Sequence, residues 1–486
     1  MAKKNNLLAL IRDGQPMTMG QQIRLTVQLS VPAVMAQISS IAMQYIDAAM
    51  VGSLGAEASA SIGLVSTTTW LFWGLCTAAA MGFSVQVAHH IGAGNFEAAR
   101  KTLRQSIVAT LFFSILLAGV GIAISDDLPR WLGGTTSINE GASAYFFIFI
   151  SWLPALQLNF LAGGMLRCSG NMHIPSVLNV LMCVLDVIFN TLLIFPSREY
   201  SLFGYLWTIP GAGLGVAGAA WGTGLAEAVT AILLMWFLCH RSPELRLDNQ
   251  STFLKNGFPQ IKEFLSYAKS FLPRADCLRK ALHISFPMGC EHVILCGAQI
   301  MTTVIVAPLG TLAIAANAFA ITAESLCYMP GYGIADAATT LVGQSLGAGR
   351  RDLTRRFAHI TVAMGMAVMA LMGVVMYIAA PLMMQLMTPD AGIQTLGIMA
   401  LRIESFAEPM FAASIVAYGV FVGAGDTLVP SAMNLFSIWA VRLTLAAFLA
   451  PAMGLQGVWI AMCVELCFRG LIFLIRLRGE KWMKKI

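Results

Sequence analysis

The chain has 486 residues, of which 57% are hydrophobic and only 11% charged. A soluble domain carries about 25% charged residues, so the composition excludes a water-soluble fold and calls for a bilayer. The net charge of +6 is spread over several short segments, which argues against a nucleic-acid surface and for a biased membrane topology.

About 25 polar and mixed residues precede the first apolar run, so no cleavable signal peptide is expected. Twelve runs then follow, each near the roughly 20 residues that a helix needs to cross a bilayer. They lie at about 26–49, 61–85, 104–124, 143–166, 175–196, 214–239, 282–305, 313–340, 358–381, 397–421, 431–450 and 455–477. The first span holds Pro32 and ends near Asp47. The second holds Trp70, Phe72 and Trp73. It runs into Gly92-Ala93-Gly94, a helix connector and not a phosphate loop, because no strand precedes it. His89 and His90, beside that turn, read as a solvated pair. The fifth span sets Asp186 and Asn190 one helical turn apart on one face. A polar stretch follows it from Pro196 to Gly211, and the longest polar stretch, 241–280, links the sixth and seventh spans.

The second half repeats the first at an offset of 255 residues. Pro32 matches Pro287, Gln44 matches Gln299, and Leu54-Gly55 matches Leu309-Gly310. Gly92-Ala93-Gly94 matches Gly347-Ala348-Gly349, and Gly170, Pro175-Ser176 and Asn179 match Gly425, Pro430-Ser431 and Asn434. After the fifth span the offset becomes 239, which leaves a 16-residue insertion on the outer side of the first half. The expected fold is an all-α membrane protein of twelve helices in two pseudo-symmetric six-helix bundles. The expected organisation is a first lobe at 1–240, a cytoplasmic linker at 241–280 and a second lobe at 281–486. Six spans per half give both halves the same sense, with the pseudo-twofold axis along the membrane normal and a cavity between the bundles.

With both termini inside, the cytoplasmic segments hold 25 of the 30 Lys and Arg residues, and the outer loops hold only Arg130 and Arg198. That asymmetry sets the orientation. Most of the ten cysteines fall inside spans, and Cys463-x-x-x-Cys467 has helical spacing, so free core thiols are expected.

Chemistry is expected from the buried carboxylates, since an unpaired charge in hydrocarbon costs several kcal/mol. Asp47, Asp186, Glu227, Glu291, Glu324, Glu404, Glu408 and Glu465 all fall within spans. Glu465 has Arg469 at i+4, the spacing of a buried ion pair. Glu404 and Glu408, one turn apart beside Pro409, read either as a cation site or as a packed pair with Arg402. A carboxylate in a closed pocket carries a proton, and one in a wetter, oxygen-rich pocket coordinates sodium.

Several of these stretches together carry a family resemblance. They are Pro32 to Gly55 with Asp47 and Met50-Val51-Gly52-Ser53-Leu54-Gly55; Val342-Gly343-Gln344-Ser345-Leu346-Gly347-Ala348-Gly349; Gly423-Ala424-Gly425-Asp426-Thr427; and Gly218-Ala219-Ala220. The chain resembles the multidrug and toxic compound extrusion (MATE) family over about 25–478. The resemblance implies a prokaryotic inner-membrane pump, not an enzyme, that exchanges Na+ or H+ for organic cations across a cleft between two lobes. It places the coupling site on Asp47, on the fifth-helix pair Asp186 and Asn190, and on Thr223. Asp186 and Asn190 stand in the reverse of the family's order. Asp47 and Asp186 are the candidate Na+ ligands. The family's seventh-helix acidic position falls nearest Glu291.

The substrate site is expected to use Glu291, Glu324, Trp70, Trp73 and Tyr328, with lipophilic organic cations as cargo, because aromatic faces and carboxylates favour cations. The lipid bilayer is the expected surrounding, a monomer the expected state, and neither a cofactor nor nucleic acid is expected beyond the coupling ion. A lipid-linked saccharide flippase of the same superfamily would favour a basic cavity. A polytopic membrane enzyme would need a catalytic constellation, and no Ser-His-Asp or His-x-x-x-His set appears.

Overall fold

The structure, a computed structural model, describes residues 7–202, 205–247 and 270–483. Much of the expected linker therefore lies outside the described residues. In the first half the helices are α1 Leu7–Arg12, α2 Met19–Gly52, α3 Ala56–Gly92, α4 Phe96–Ile124, α5 Leu128–Trp131, α6 Thr136–Ser151, α7 Leu153–Cys168, α8 His173–Ile194 and α9 Gly215–His240. In the second they are α10 Ala275–Val306, α11 Thr311–Gly347, α12 Arg351–Met387, α13 Ala391–Glu404, α14 Glu408–Ala424, α15 Leu428–Phe436, α16 Thr444–Met453 and α17 Leu455–Arg478. A π-helical turn, Ser437–Leu443, joins α15 to α16.

Ten of the described helical segments are long and apolar enough to span a membrane, and there are twelve if each of two bent pairs counts as one span. The bends fall in the fourth and tenth spans. Helices α6 and α7 meet at 47°, and α13 and α14 at 62°. Pro154 and Pro409 stand at the second position after each break and are repeat mates. Proline removes a backbone donor and crowds the preceding turn, which breaks both spans at the same place. Pro287, by contrast, lies inside an unbroken helix. The carbonyl that its ring leaves without a helical donor, that of His283, lies 3.4 Å from the Thr427 hydroxyl, which also donates to the Ile284 carbonyl at 3.0 Å.

The repeat has a local cause at its helix ends. Gly94 and Gly349 adopt φ of 71° and 74°, a left-handed conformation that only glycine takes cheaply. The amide of the next residue then bonds back to the helix in the same way in both halves: Asn95 to the His90 carbonyl at 2.9 Å, Arg350 to the Ser345 carbonyl at 3.0 Å. The 16-residue insertion of the first half adds a short strand pair to the otherwise helical fold. It forms a hairpin of β1 Pro196–Leu202 and β2 Tyr205–Ala212, paired antiparallel with an irregularity between Pro196 and Arg198.

The residues form two compact units. Unit 1 is Met1–Ile38, Ala88–Asn95 and His283–Ile486, and unit 2 is Ser39–Val87 and Phe96–Leu282. Unit 2 is built on Val65, Phe72, Cys76, Phe146, Ile150 and Leu153. Unit 1 packs small residues, among them Ala316, Ala320, Ala323, Ala380 and Ala461, so that backbones approach closely without a polar driving force. No disulfide joins any of the ten cysteines, all of which are among the described residues.

Residues 88–95 belong to unit 1 through a reciprocal crossing. A Cβ on Gly92 would land on the Gln344 backbone, and a Cβ on Gly347 would land on the His89 backbone. The two glycines are repeat mates, as are His89 and Gln344. His89 is not the solvated residue that its position suggests. It is half-buried, and its Nε2–H donates to the Gly423 carbonyl at 2.8 Å. Gly347→Ala should therefore cost about 1–3 kcal/mol by overpacking, read as a lower unfolding temperature in detergent. Gly20→Ala, where the added methyl meets open space, should leave that temperature within error.

Candidate functional site

In unit 2 three helices bring four polar side chains together. Asp47 comes from the end of α2, Asp186 and Asn190 from successive turns of α8, and Thr223 from α9. Asn190 spends its amide hydrogens on two acids: Nδ2 donates to Asp47 Oδ1 at 2.9 Å and to Asp186 Oδ2 at 3.0 Å. The Asp47 and Asp186 carboxyls also face one another, and Thr223 lies beside Asp186. Gly222 gives Asn190 its place, because a Cβ there would fall on Asn190 Oδ1.

Asp186 and Asn190 are 0% exposed, and the Oδ1 of each has no hydrogen-bond partner. Among the described residues neither Asp47 nor Asp186 is paired with Lys or Arg. The site thus holds two carboxylates, one bridging amide and free oxygens, with no positive charge of its own. Oxygen donors of that kind suit a proton or a hard cation. No group of three or more His, Cys, Asp or Glu among the described residues is arranged as a metal centre. The alternating spacing i, i+4 made Asp186 and Asn190 legible as a pair. Asn159 of α7 was not, although its Nδ2 donates to Glu227 Oε2.

Unit 1 carries a different arrangement. Glu291 on α10 accepts from Tyr418 Oη at 2.6 Å, Ser431 Oγ at 2.6 Å and Asn434 Nδ2 at 2.7 Å. Ser431 and Asn434 were visible only as repeat mates of Ser176 and Asn179. Their donor role exists because Glu291 stands where the first half has Ala36. Glu465 pairs with Arg469 as the i, i+4 spacing predicts, with Nε 3.1 Å from Oε1. Arg442, in the π-helical turn, adds a two-nitrogen contact to Oε2 at 3.0 and 2.7 Å, and Ser437 donates at 2.6 Å.

Glu404 and Glu408 do not share one continuous helix. They stand on the two sides of the break between α13 and α14. Neither pairs with Arg402, whose Nε lies 3.5 Å from the Tyr377 carbonyl and whose guanidinium lies over the Tyr377 ring. Both acids are 0% exposed with both oxygens unpartnered. Glu324, buried on α11, and Arg442 are charged neighbours of Glu404.

The five side chains expected to meet substrate divide between the units. Trp70 and Trp73 belong to unit 2, and Glu291, Glu324 and Tyr328 to unit 1. Trp73 is 40% exposed and packs edge-on against Phe160 at 5.1 Å. Tyr328, the repeat mate of Trp73, packs edge-on against Phe411 at 5.5 Å.

The MatE family profile matches residues 32–192 and again residues 287–448, two blocks that begin one repeat offset apart. The chain belongs to the MatE family. It is a multi-pass membrane transporter, as that family's members are, and not an enzyme. Similar proteins include the "Probable multidrug resistance protein NorM" of Thermotoga maritima, 25% identical over 465 residues covering 94% of this chain and 93% of the relative. The protein of that name from Pasteurella multocida is 25% identical over 467 residues, covering 93% and 92%. Among solved structures, a MATE protein in complex with MaL6 superposes with a TM-score of 0.84 at 19% identity over 98% of both chains. An outward-facing MATE family transporter of the MOP superfamily superposes with a TM-score of 0.83 at 19% identity, also over 98% of both. These structures share the fold of this MatE-family chain.

Proposed function

We propose that this MatE-family protein exports lipophilic organic cations across the inner membrane of a prokaryotic cell, driven by inward movement of Na+ or H+. Two halves, 1–240 and 281–486, joined by a cytoplasmic linker at 241–280, expose their sites to the two sides of the membrane in turn. Both termini are cytoplasmic. The observation that carries the reading is the Asp47–Asn190–Asp186 constellation. Two buried-facing carboxylates without a basic partner need a counter-charge that can come and go, and a small cation supplies it. The names of the NorM relatives support drugs as the cargo.

The acidic character of the second half supports a cationic cargo. Glu324, Glu404 and Glu408 lie near one another, and Glu465 already engages Arg442 and Arg469. Aromatic faces such as Tyr328 and Trp73 each add about 0.5–2 kcal/mol toward a bound cation. Cells that express the protein should accumulate less ethidium than cells without it, and de-energising them should restore accumulation. Unchanged ethidium together with translocation of a lipid-linked saccharide would overturn the reading in favour of a flippase.

A further inference from the structure

The polar row of unit 2 continues beyond the coupling site. On α8, Met182, Asp186 and Asn190 follow one another at single-turn spacing, and on α9 so do Thr223 and Glu227. Asn159 of α7 closes the row: its Nδ2 donates to Glu227 Oε2 and lies 3.6 Å from Met182 Sδ. Glu227 also has Asp186 as a charged neighbour. Asp186 Oδ1, fully buried, has no hydrogen-bond partner. The other titratable groups facing this row are Asp47, Tyr145 and Cys183. None of the described groups around it is basic.

The fold does not need an acid here. At the offset of 239 the second half carries Leu466, which is 1% exposed, in place of Glu227. A carboxylate in a position that the repeat fills with leucine costs several kcal/mol unless its charge is met. Asn159 supplies one hydrogen bond and no charge.

We infer that Glu227, held by Asn159, is a second station for the coupling cation in unit 2, exchanging Na+ or H+ with Asp186 past the Thr223 hydroxyl. The inference rests on the coupling role proposed for Asp47 and Asp186. Its consequence is stoichiometric: Glu227 carries a cation while Asp186 carries another, so one more cation enters per export cycle than when Glu227 stays neutral.

The test uses the purified full chain in liposomes, with ethidium as substrate and a tenfold gradient of Na+ or of H+ imposed separately. Each coupled cation multiplies the limiting ethidium gradient by roughly ten under those conditions. Glu227→Gln should lower that limit roughly tenfold in the arm, sodium or proton, that drives the wild type. Glu227→Asp should keep the wild-type limit and need a higher cation concentration to reach half-maximal rate. Asn159→Ala should do the same, by roughly tenfold, because it removes only the group that orients the acid. A well-folded Glu227→Gln protein with the wild-type limit overturns the inference. If that protein does not fold, a wild-type half-maximal cation concentration in both Glu227→Asp and Asn159→Ala overturns it instead. Asp47→Asn separates the two readings. If it retains cation-driven export, the coupling proposal falls. If it loses export while Glu227→Gln keeps the wild-type limit, only the second station falls.

Discussion

Asp47→Asn should reduce cation-driven efflux to the level of liposomes without protein. The substitution keeps the size of the side chain and an oxygen that can still accept the 2.9 Å bond from Asn190. It removes the charge that would take up Na+ or H+. A cation with no differential affinity for two states cannot shift them, so conformational exchange continues without drive. The lost charge-assisted bond is worth about 1.5–3 kcal/mol at most, and relief of the repulsion with Asp186 offsets part of that. Expression and unfolding temperature should therefore stay close to wild type while transport disappears. Robust ethidium export by a well-expressed Asp47→Asn protein would remove this residue from the mechanism.

Glu465→Ala should have the largest effect on stability. Glu465 is 0% exposed and accepts from Arg442, Arg469 and Ser437. Removing it takes away the one carboxylate that both guanidinium groups hydrogen-bond in this membrane-spanning bundle and leaves Glu324 and Glu404 only as more distant charged neighbours. Breaking a buried pair by deleting one partner costs about 3–5 kcal/mol. The expected result is a steep loss of folded yield and a clear drop in unfolding temperature in detergent. Replacing all three members by apolar residues of similar volume should recover much of that loss, because the uncompensated charges go as well. An unchanged midpoint for the single substitution would show that the network contributes little.

The spans and the repeat were legible because helices in lipid must be long and apolar, and because the glycines at 94 and 349 need left-handed backbone. The breaks in the fourth and tenth spans were less visible, although Pro154 and Pro409 mark them in register. The 16-residue insertion of the first half could be located by its changed offset, but its hairpin pairing depends on contacts that periodicity does not carry. In the site, Asp186 and Asn190 announce themselves by helical spacing. Arg442 does not, since it reaches Glu465 from 23 positions away through a π-helical turn. The partnership of Asn159 with Glu227, 68 positions apart, was hidden for the same reason. His89 was misread because its partner, the Gly423 carbonyl, lies 334 positions away.

In the proposed mechanism a cation gradient drives export through the Asp47–Asn190–Asp186 site. The most direct measurement is ethidium flux in liposomes holding the purified protein, with a sodium gradient and a pH gradient imposed one at a time. One of the two gradients should drive ethidium against its own gradient in the wild type, and neither should do so in Asp47→Asn. Equal flux with and without both gradients, or gradient-driven flux that persists in Asp47→Asn, would contradict it.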